Sequence, residues 1–527
     1  VTWVLIALGI FFRLFHYFDN RSLWLDEIYL AASLVKMDLQ QLTFSDLEYE
    51  QKAPIGFLWM CKLAVLLFGT SEMSLRLFPL LCGILSLFMF LPVVRYFLKP
   101  LGVAVAIGIL ALAPPLIYHG VEIKQYSTEL LASILCLYLY TRYHKKRDIA
   151  SLVMWGVWGS VIIWFSYTSI FILAGMAMGI TIYHLLRKEW VTVFLLVIPF
   201  GLWLVSFAVN YFGFTARLAE AEWLLHYFRV RGAFMPVPPT SLGDLAWPIK
   251  NLGTRLLHYP LGLLWDVSEI ENGVLRYLLR RPIFAVACTL MGLLLFLKRD
   301  KKFLLVLVLP FLLLMVASAL ELYPIWERLT VFLAPLLILI VALGCERLAA
   351  YSQWINRRVA FFLAMLVLAA PFWASASQVM EPRSFGDYKK SFYREALLGI
   401  NKHFRKDDQV YVYWNMLTPY RFYSDIHAFN YKAIEGSDFR KASISASDYL
   451  NKLTTELNSL KKTKRVWVFY SKRLSMNIGD FEMHPSWYVK EVLGKQRLQK
   501  KFSEIGKEIY SFETYELKAS LFEVKAQ

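Results

Sequence analysis

Charge is scarce in this chain. Only 18% of its 527 residues are Asp, Glu, Lys or Arg, against 57% hydrophobic and 16% aromatic. Soluble domains carry roughly a quarter charged residues, so the balance excludes that class and indicates a polytopic membrane protein. Cysteine is scarce too. Cys61, Cys82, Cys136, Cys288 and Cys345 all lie in or beside apolar runs. Their spacings match no zinc site and imply no disulfide framework, so they read as small core residues. No Gly-rich phosphate fingerprint follows an expected strand, and nucleotide binding is not supported. No small-residue cleavage site follows the first apolar run, which starts at Val1; a retained span after a trimmed N-terminus is expected. No basic stretch of a soluble region is interleaved with stacking aromatics, so the net charge of +17 does not point to nucleic acid. The excess Lys and Arg suit loops beside lipid headgroups instead.

What is present is a series of long apolar runs. A membrane span needs about 20 mostly apolar residues. Candidate runs are 1–18, 54–69, 77–98, 101–118, 127–141, 149–165, 168–186, 190–212, 282–297, 303–320, 329–349 and 358–375. The expected fold class is an α-helical polytopic membrane protein of about 11–13 spans with a small C-terminal soluble α/β domain. The membrane domain covers 1–375 and has two long loops, 19–53 and 213–281; the soluble domain covers 376–527. Basic clusters at 142–147, 187–188, 298–302 and 357–358 read as cytoplasmic. Both loops, the segments 119–126 and 321–328, and the tail then fall on the opposite, external face. The parity of spans does not close: one segment between 54 and 118 must be short, broken or re-entrant, which is tolerated where it lines a protein cavity.

Local patterns add detail. Asp26 to Leu39 can form a helix lying in the membrane interface, with Leu25, Ile28, Ala32 and Val35 on one face. The 213–281 loop, rich in Trp, Tyr, Pro and His, reads as ordered. In the tail, Val410–Trp414 and Val466–Tyr470 look like buried parallel strands, with helices near 388–404 and 447–461 and a third strand region near 508–524.

The polar residues at loop ends could carry chemistry. Asp26 and Glu27 follow the first span. They suit a helix cap, but also a general base beside a second carboxylate. Lys52, where the chain re-enters the membrane before Pro54, suits headgroup snorkelling or a phosphate contact. Glu122, Lys124 and Tyr126 form a polar cluster between two apolar runs; Glu122 is a second acid or a structural partner of Lys124 or Lys52, and Glu129 a weaker rival on the same helix face. Arg328, just before a span, is an interfacial anchor or a forked phosphate ligand. His258 and Tyr259 are lesser candidates in the long loop.

The order of these elements resembles the GT-C membrane glycosyltransferases, in particular the dolichyl-phosphate-mannose protein mannosyltransferase and aminoarabinose lipid A transferase superfamily. The acidic pair is Leu25-Asp26-Glu27. A Lys-x-Pro element follows at Lys52-Ala53-Pro54, with Gly56 and Trp59. Then come Gly69 and Arg76-Leu77-Phe78-Pro79, the acidic cluster Glu122-Ile123-Lys124-Gln125-Tyr126, and Glu327-Arg328. These cover about 1–375; the tail matches only in placement. The resemblance implies transfer of a sugar from a polyprenyl-phosphate donor to an acceptor hydroxyl on a lipid, glycan or protein, with inversion, at the outer face of a bacterial inner membrane. It implies Asp26 as base, Lys52 on the donor phosphate and Glu122 as the second acid. Arg328 and Lys124 are further phosphate contacts by this reading, and Tyr126, His258 and Tyr259 line the substrate. Two positions depart from the pattern: Lys124 stands where many relatives have Arg, and Ala53 where the lipid A enzymes have a second proline. No organic cofactor is expected; a divalent metal is open, because Asp26, Glu27 and Glu122 would gather one if they converged. The competing reading is a transporter or lipid-linked glycan flippase, which would place ionisable residues in mid-span and break helices in both halves. A non-catalytic assembly protein is a third.

Overall fold

A computed structural model describes residues 1–216, 222–265, 271–274, 276, 283–353, 357–386, 391–473 and 484–524. The candidate apolar runs fold as helices, and the first loop adds two more. They are α1 (Thr2–Asp19), α2 (Leu25–Lys36), α3 (Leu39–Phe44), α4 (Ile55–Phe68), α5 (Glu72–Phe97), α6 (Pro100–Leu112), α7 (Pro114–Gly120), α8 (Tyr126–Tyr143), α9 (Ile149–Phe165), α10 (Ser169–Leu186) and α11 (Trp190–Asn210). The long loop contributes α12 (Glu222–Val230), α13 (Leu242–Pro248) and α14 (Arg255–His258). The bundle ends with α15 (Ile283–Arg299), α16 (Lys301–Ala319), α17 (Ala334–Gln353) and α18 (Arg357–Met380).

Among the described residues, seven helices are long and apolar enough to cross a membrane, or eight if the bent α6–α7 pair is one span. The chain is a multi-pass membrane protein. The other runs are helical but shorter, or, in α8, more polar. Their lesser reach has a cause: α4 has only 14 residues, about 21 Å, and packs on α2 and α5. Lys62, inside α4, donates to the carbonyl of Leu34 at 3.0 Å and so caps the last turn of α2.

Between 54 and 118 the chain has one short helix, α4, and a 55° bend between α6 and α7. The bend follows from Pro114 and Pro115, which carry no N–H and so cannot bond the carbonyls of Leu110 and Ala111. A bare carbonyl in a bundle core is costly. Arg13, fully buried on α1, donates to both, at 3.1 and 3.2 Å, and the Ser375 hydroxyl takes the next carbonyl, that of Leu112, at 2.7 Å. The break is thus satisfied from two neighbouring helices, and α7 is re-aimed to deliver residues 119–124.

Helix packing in lipid relies on close approach rather than on hydrophobic burial. α17 is the central helix and is almost wholly buried. It meets α15 so tightly that a Cβ on Gly344 would lie 1.8 Å from the Cys288 carbonyl oxygen, and one on Gly292 2.0 Å from that of Ile340. Only glycine fits at either position. α11, by contrast, presents Phe194, Val197, Leu204 and Val205 outward, as a lipid-facing helix does.

Beyond Met380 the chain forms a small α/β domain. It holds helices α19 (Tyr393–His403), α20 (Leu417–Ile426), α21 (Ala446–Leu460) and α22 (Arg497–Ser503), and strands β1 (Asp408–Val412), β2 (Ile434–Glu435), β3 (Arg465–Ser471), β4 (Lys507–Glu513) and β5 (Leu517–Glu523). The sheet order is β2-β1-β3-β5-β4. β1 and β3 pair in parallel, as their continuous apolar runs predict, whereas the third strand region is an antiparallel β4–β5 hairpin beside β3. Residues 388–390 of the first expected helix lie outside the described residues.

This domain does not hang free. Its core is continuous with the first loop: Leu23, Ile28, Leu30, Leu34, Phe57 and Leu58 pack with Tyr393, Leu397, Val410, Tyr423 and Trp467. α2 is therefore not a helix lying on a membrane surface. Residues Glu27 to Leu34 are all buried, because α4 covers one side and the C-terminal domain another. Polar contacts fix the register. The Tyr423 hydroxyl accepts from the Leu23 N–H at 2.9 Å and donates to Glu72 at 2.8 Å. Arg394 bridges Glu72 and the Asn20 carbonyl.

Candidate active site

The first loop, the α7–α8 turn and the 327–333 helical turn before α17 converge at one end of the bundle. α2 begins at Leu25, which puts Asp26 and Glu27 in its first turn, where the helix dipole favours acids. Being adjacent, they point in different directions, and their surroundings differ sharply.

Glu27 is fully buried and saturated. Arg76 clasps it bidentately, Nε at 3.0 Å and Nη2 at 2.8 Å, while Arg21 donates to it at 2.7 Å. Glu27 also accepts the Ile123 N–H at 3.0 Å. It thereby fixes the backbone between Glu122 and Lys124. Burial disfavours the Arg21 charge, but Glu27 more than offsets this and holds the guanidinium firmly protonated. Glu27, expected in the catalytic group, thus has its oxygens committed to the scaffold. Arg76 of the Arg-Leu-x-Pro element is its clamp.

Asp26 faces the site. Its carboxylate takes Lys124 at 3.0 Å on one oxygen and Arg328 at 2.5 Å on the other, and its side chain stays 19% exposed. Desolvation pushes its pKa up, but Arg328 and Lys124 together outweigh that and hold it well below the usual carboxylate range. Lys124 also donates to Gln51 Oε1 at 2.7 Å. This ties the Lys-x-Pro element to the site, one residue before Lys52. The Arg328 guanidinium lies 5.8 Å from the rings of both Trp24 and Tyr126, within the range of cation–π attraction.

Glu122 forms a second layer and is fully buried. It accepts from Trp24 Nε1 at 3.2 Å and pairs with His119 Nδ1 at 2.7 Å; His119 Nε2 in turn meets the Tyr259 hydroxyl. Burial and the nearby Glu122 charge raise the Tyr259 phenol well above its ordinary value, so it stays protonated. This Tyr259–His119–Glu122–Trp24 chain orients the indole beside Arg328.

Lys52 is partly buried and makes no hydrogen bond or ion pair among the described residues. Desolvation lowers its pKa, and Glu50 only partly compensates. An under-solvated, uncommitted ammonium suits an incoming anion. His258 is exposed and makes no side-chain hydrogen bond or ion pair among the described residues. Glu129 is buried one turn along α8 from Tyr126. Among the described residues no group of three or more His, Cys, Asp or Glu side chains is placed to hold a metal ion.

Sequence reasoning assigned Asp26, Lys124 and Arg328 to one face but did not foresee their contact. It passed over Gln51, His119, Trp24 and Arg21. His119 stood at the start of the polar segment 119–126, and Arg76 within the Arg-Leu-x-Pro element, so both carried a signal.

Residues 52–211 match the dolichyl-phosphate-mannose-protein mannosyltransferase family. That segment includes Lys52, Arg76, Glu122 and Lys124 but neither Asp26 nor Arg328. No curated protein matches the chain in sequence. Among solved structures, ArnT from Cupriavidus metallidurans bound to undecaprenyl phosphate aligns with a TM-score of 0.52 at 12% identity, covering 98% of this chain and 97% of that one. Its apo structure gives the same figures. The Archaeoglobus fulgidus oligosaccharyltransferase, solved with zinc and sulfate, gives a TM-score of 0.47 at 12% identity over 88% of this chain and 67% of that one. The chain has the fold of the GT-C membrane glycosyltransferases, and its residues 52–211 carry the sequence pattern of the dolichyl-phosphate-mannose-protein mannosyltransferase family.

Proposed function

We propose that the protein transfers a sugar from a polyprenyl-phosphate donor to an acceptor hydroxyl, with Asp26 as general base. The observation that carries this is the sharing of one partly exposed carboxylate between Lys124 and Arg328, with Lys124 also bonded to Gln51, the residue before Lys52. Alone, that carboxylate is a poor base, because its cations hold the proton affinity down. A donor phosphate competes for the same cations. As its oxygens draw Arg328, Lys52 and Lys124, Asp26 loses countercharge and its basicity rises. The base is thus switched on by the donor it serves.

The step then balances. The acceptor hydroxyl gives its proton to Asp26 while its oxygen bonds to the anomeric carbon. The bond from that carbon to the phosphate oxygen breaks, and its electron pair leaves with the polyprenyl phosphate. Lys52 and Arg328 stabilise the charge developing there. Direct displacement inverts the anomeric configuration. By the positive-inside reading the site opens on the external, periplasmic face of a bacterial inner membrane. The undecaprenyl phosphate held by ArnT in the same fold supports the donor class; hexose and pentose donors, and lipid, glycan or protein acceptors, share this chemistry. The test is transfer by the purified protein in liposomes from polyprenyl-phosphate sugars to candidate acceptors, with the product's anomeric configuration read by NMR. A product of retained configuration overturns the displacement.

A further inference from the structure

The opposite end of the bundle holds a second polar cluster that sugar transfer does not use. α8 spans 18 residues, so its last turn lies about 27 Å from Tyr126. There Tyr140 and His144 stack, ring centroids 4.3 Å apart, and the His144 Nε2 bonds the Tyr96 hydroxyl at 2.8 Å. His184, near the end of α10, bonds Glu189 through Nδ1 at 2.6 Å. Each of these three side chains is more than nine-tenths buried, and each leaves one polar atom without a partner: the Tyr140 hydroxyl, His144 Nδ1 and His184 Nε2. Buried, unpaired polar atoms are costly, and three in one cluster point to a missing partner. When His144 Nε2 accepts the Tyr96 proton, its Nδ1 carries the free N–H.

The charges around the cluster say what that partner is. Lys302, Lys145 and Arg147 all act on His144. None is paired with a carboxylate among the described residues: Lys302 and Lys145 lie over the rings of Tyr183 and Tyr96, and Arg147 donates to the carbonyls of His144 and Lys146. The nearby acids are already engaged, Glu189 by His184 and Arg187, and Asp300 by the Phe303 N–H that it caps. Two buried donors, the Tyr140 hydroxyl and the His144 Nδ1–H, ringed by uncommitted cations suit a tetrahedral oxyanion; His184 Nε2, whose ring donates from Nδ1 to Glu189, joins them only when that ring is protonated. We propose that this cluster is a phosphate-binding site, placed where the apolar helices end and so at headgroup level. The phosphate comes from an anionic lipid or from solution.

The experiment uses the full chain in nanodiscs, with native mass spectrometry reading retained lipid. Phosphatidylglycerol should be retained at least tenfold over phosphatidylcholine. The double variant Lys302→Ala/Arg147→Ala should weaken phosphatidylglycerol binding by roughly thirtyfold, from two headgroup cations. If millimolar inorganic phosphate displaces the lipid, the phosphate alone is recognised; if the lipid resists displacement, the acyl chains take part. Equal retention of the two lipids by the wild type, a result that needs no variant, overturns the proposal. So does unchanged phosphatidylglycerol binding in the double variant.

Discussion

Neutralising the two cations on Asp26 should change its titration more than any other substitution in the site. The double variant Lys124→Gln/Arg328→Gln leaves the carboxylate buried on most sides with no countercharge. An opposite charge at this distance lowers a carboxylate pKa by roughly 1–3 pH units. The side chain is 19% exposed, which favours the lower half of that range for each cation. With both removed, desolvation is left as the dominant effect, and it acts upward. The sign is as follows. In the wild type the folded pKa lies below the unfolded value of about 3.9. The ion pairs therefore contribute stability above that value, and lose it only as pH falls through the lower folded pKa. In the double variant the order reverses, and Asp26 takes up a proton above the ordinary carboxylate range. Infrared difference spectra of reconstituted protein read this directly, with the protonated-carboxyl band assigned by its loss in Asp26→Asn. The wild type should show no such band down to about pH 4. Saturation with a polyprenyl phosphate should move the wild type in the same upward direction. A double variant that stays ionised as the wild type does would refute the idea that these cations control the base.

Other outcomes follow from the same geometry. Lys52→Ala should raise the KM for the donor by roughly tenfold, the value of one charged hydrogen bond, with kcat for a saturating donor less affected; an unchanged donor KM removes Lys52 from the site. Glu27→Gln strands Arg21 and Arg76 in a dry core and should cost about 3–5 kcal/mol, visible as a large drop in thermal midpoint; a variant as stable as wild type would contradict the scaffold role. Arg394→Ala should loosen the C-terminal domain from the first loop, so that amide exchange at Leu23 and Trp24 accelerates; unchanged exchange would show that the shared apolar core alone holds the loop.

Much of this was legible in the chain. The scarcity of charge identified the membrane class, and the apolar runs located the long helices of the bundle. Pro114 and Pro115 marked the break, although a single run from 101 to 118 concealed it. What sequence could not supply was pairing over distance. Asp26 meets Arg328 across 302 positions and Lys124 across 98, and no local period encodes either contact. The same limit explains Glu27. Beside Asp26 it looks like half of a catalytic pair, and only the arrival of Arg76 from α5 and Arg21 from the preceding link shows it to be structural. α2 misled for a related reason: its apolar face suggested a membrane surface, but its other sides are covered by α4 and by residues more than 350 positions away, such as Tyr423 on Leu23.

The most direct test of the central claim is sugar transfer by Asp26→Asn. The substitution keeps the side chain's shape and removes its capacity to accept a proton. Transfer in liposomes should fall by at least about a hundredfold, the usual value of a positioned general base, while binding of the polyprenyl phosphate is retained. Transfer at the wild-type rate by Asp26→Asn would show that the base lies elsewhere.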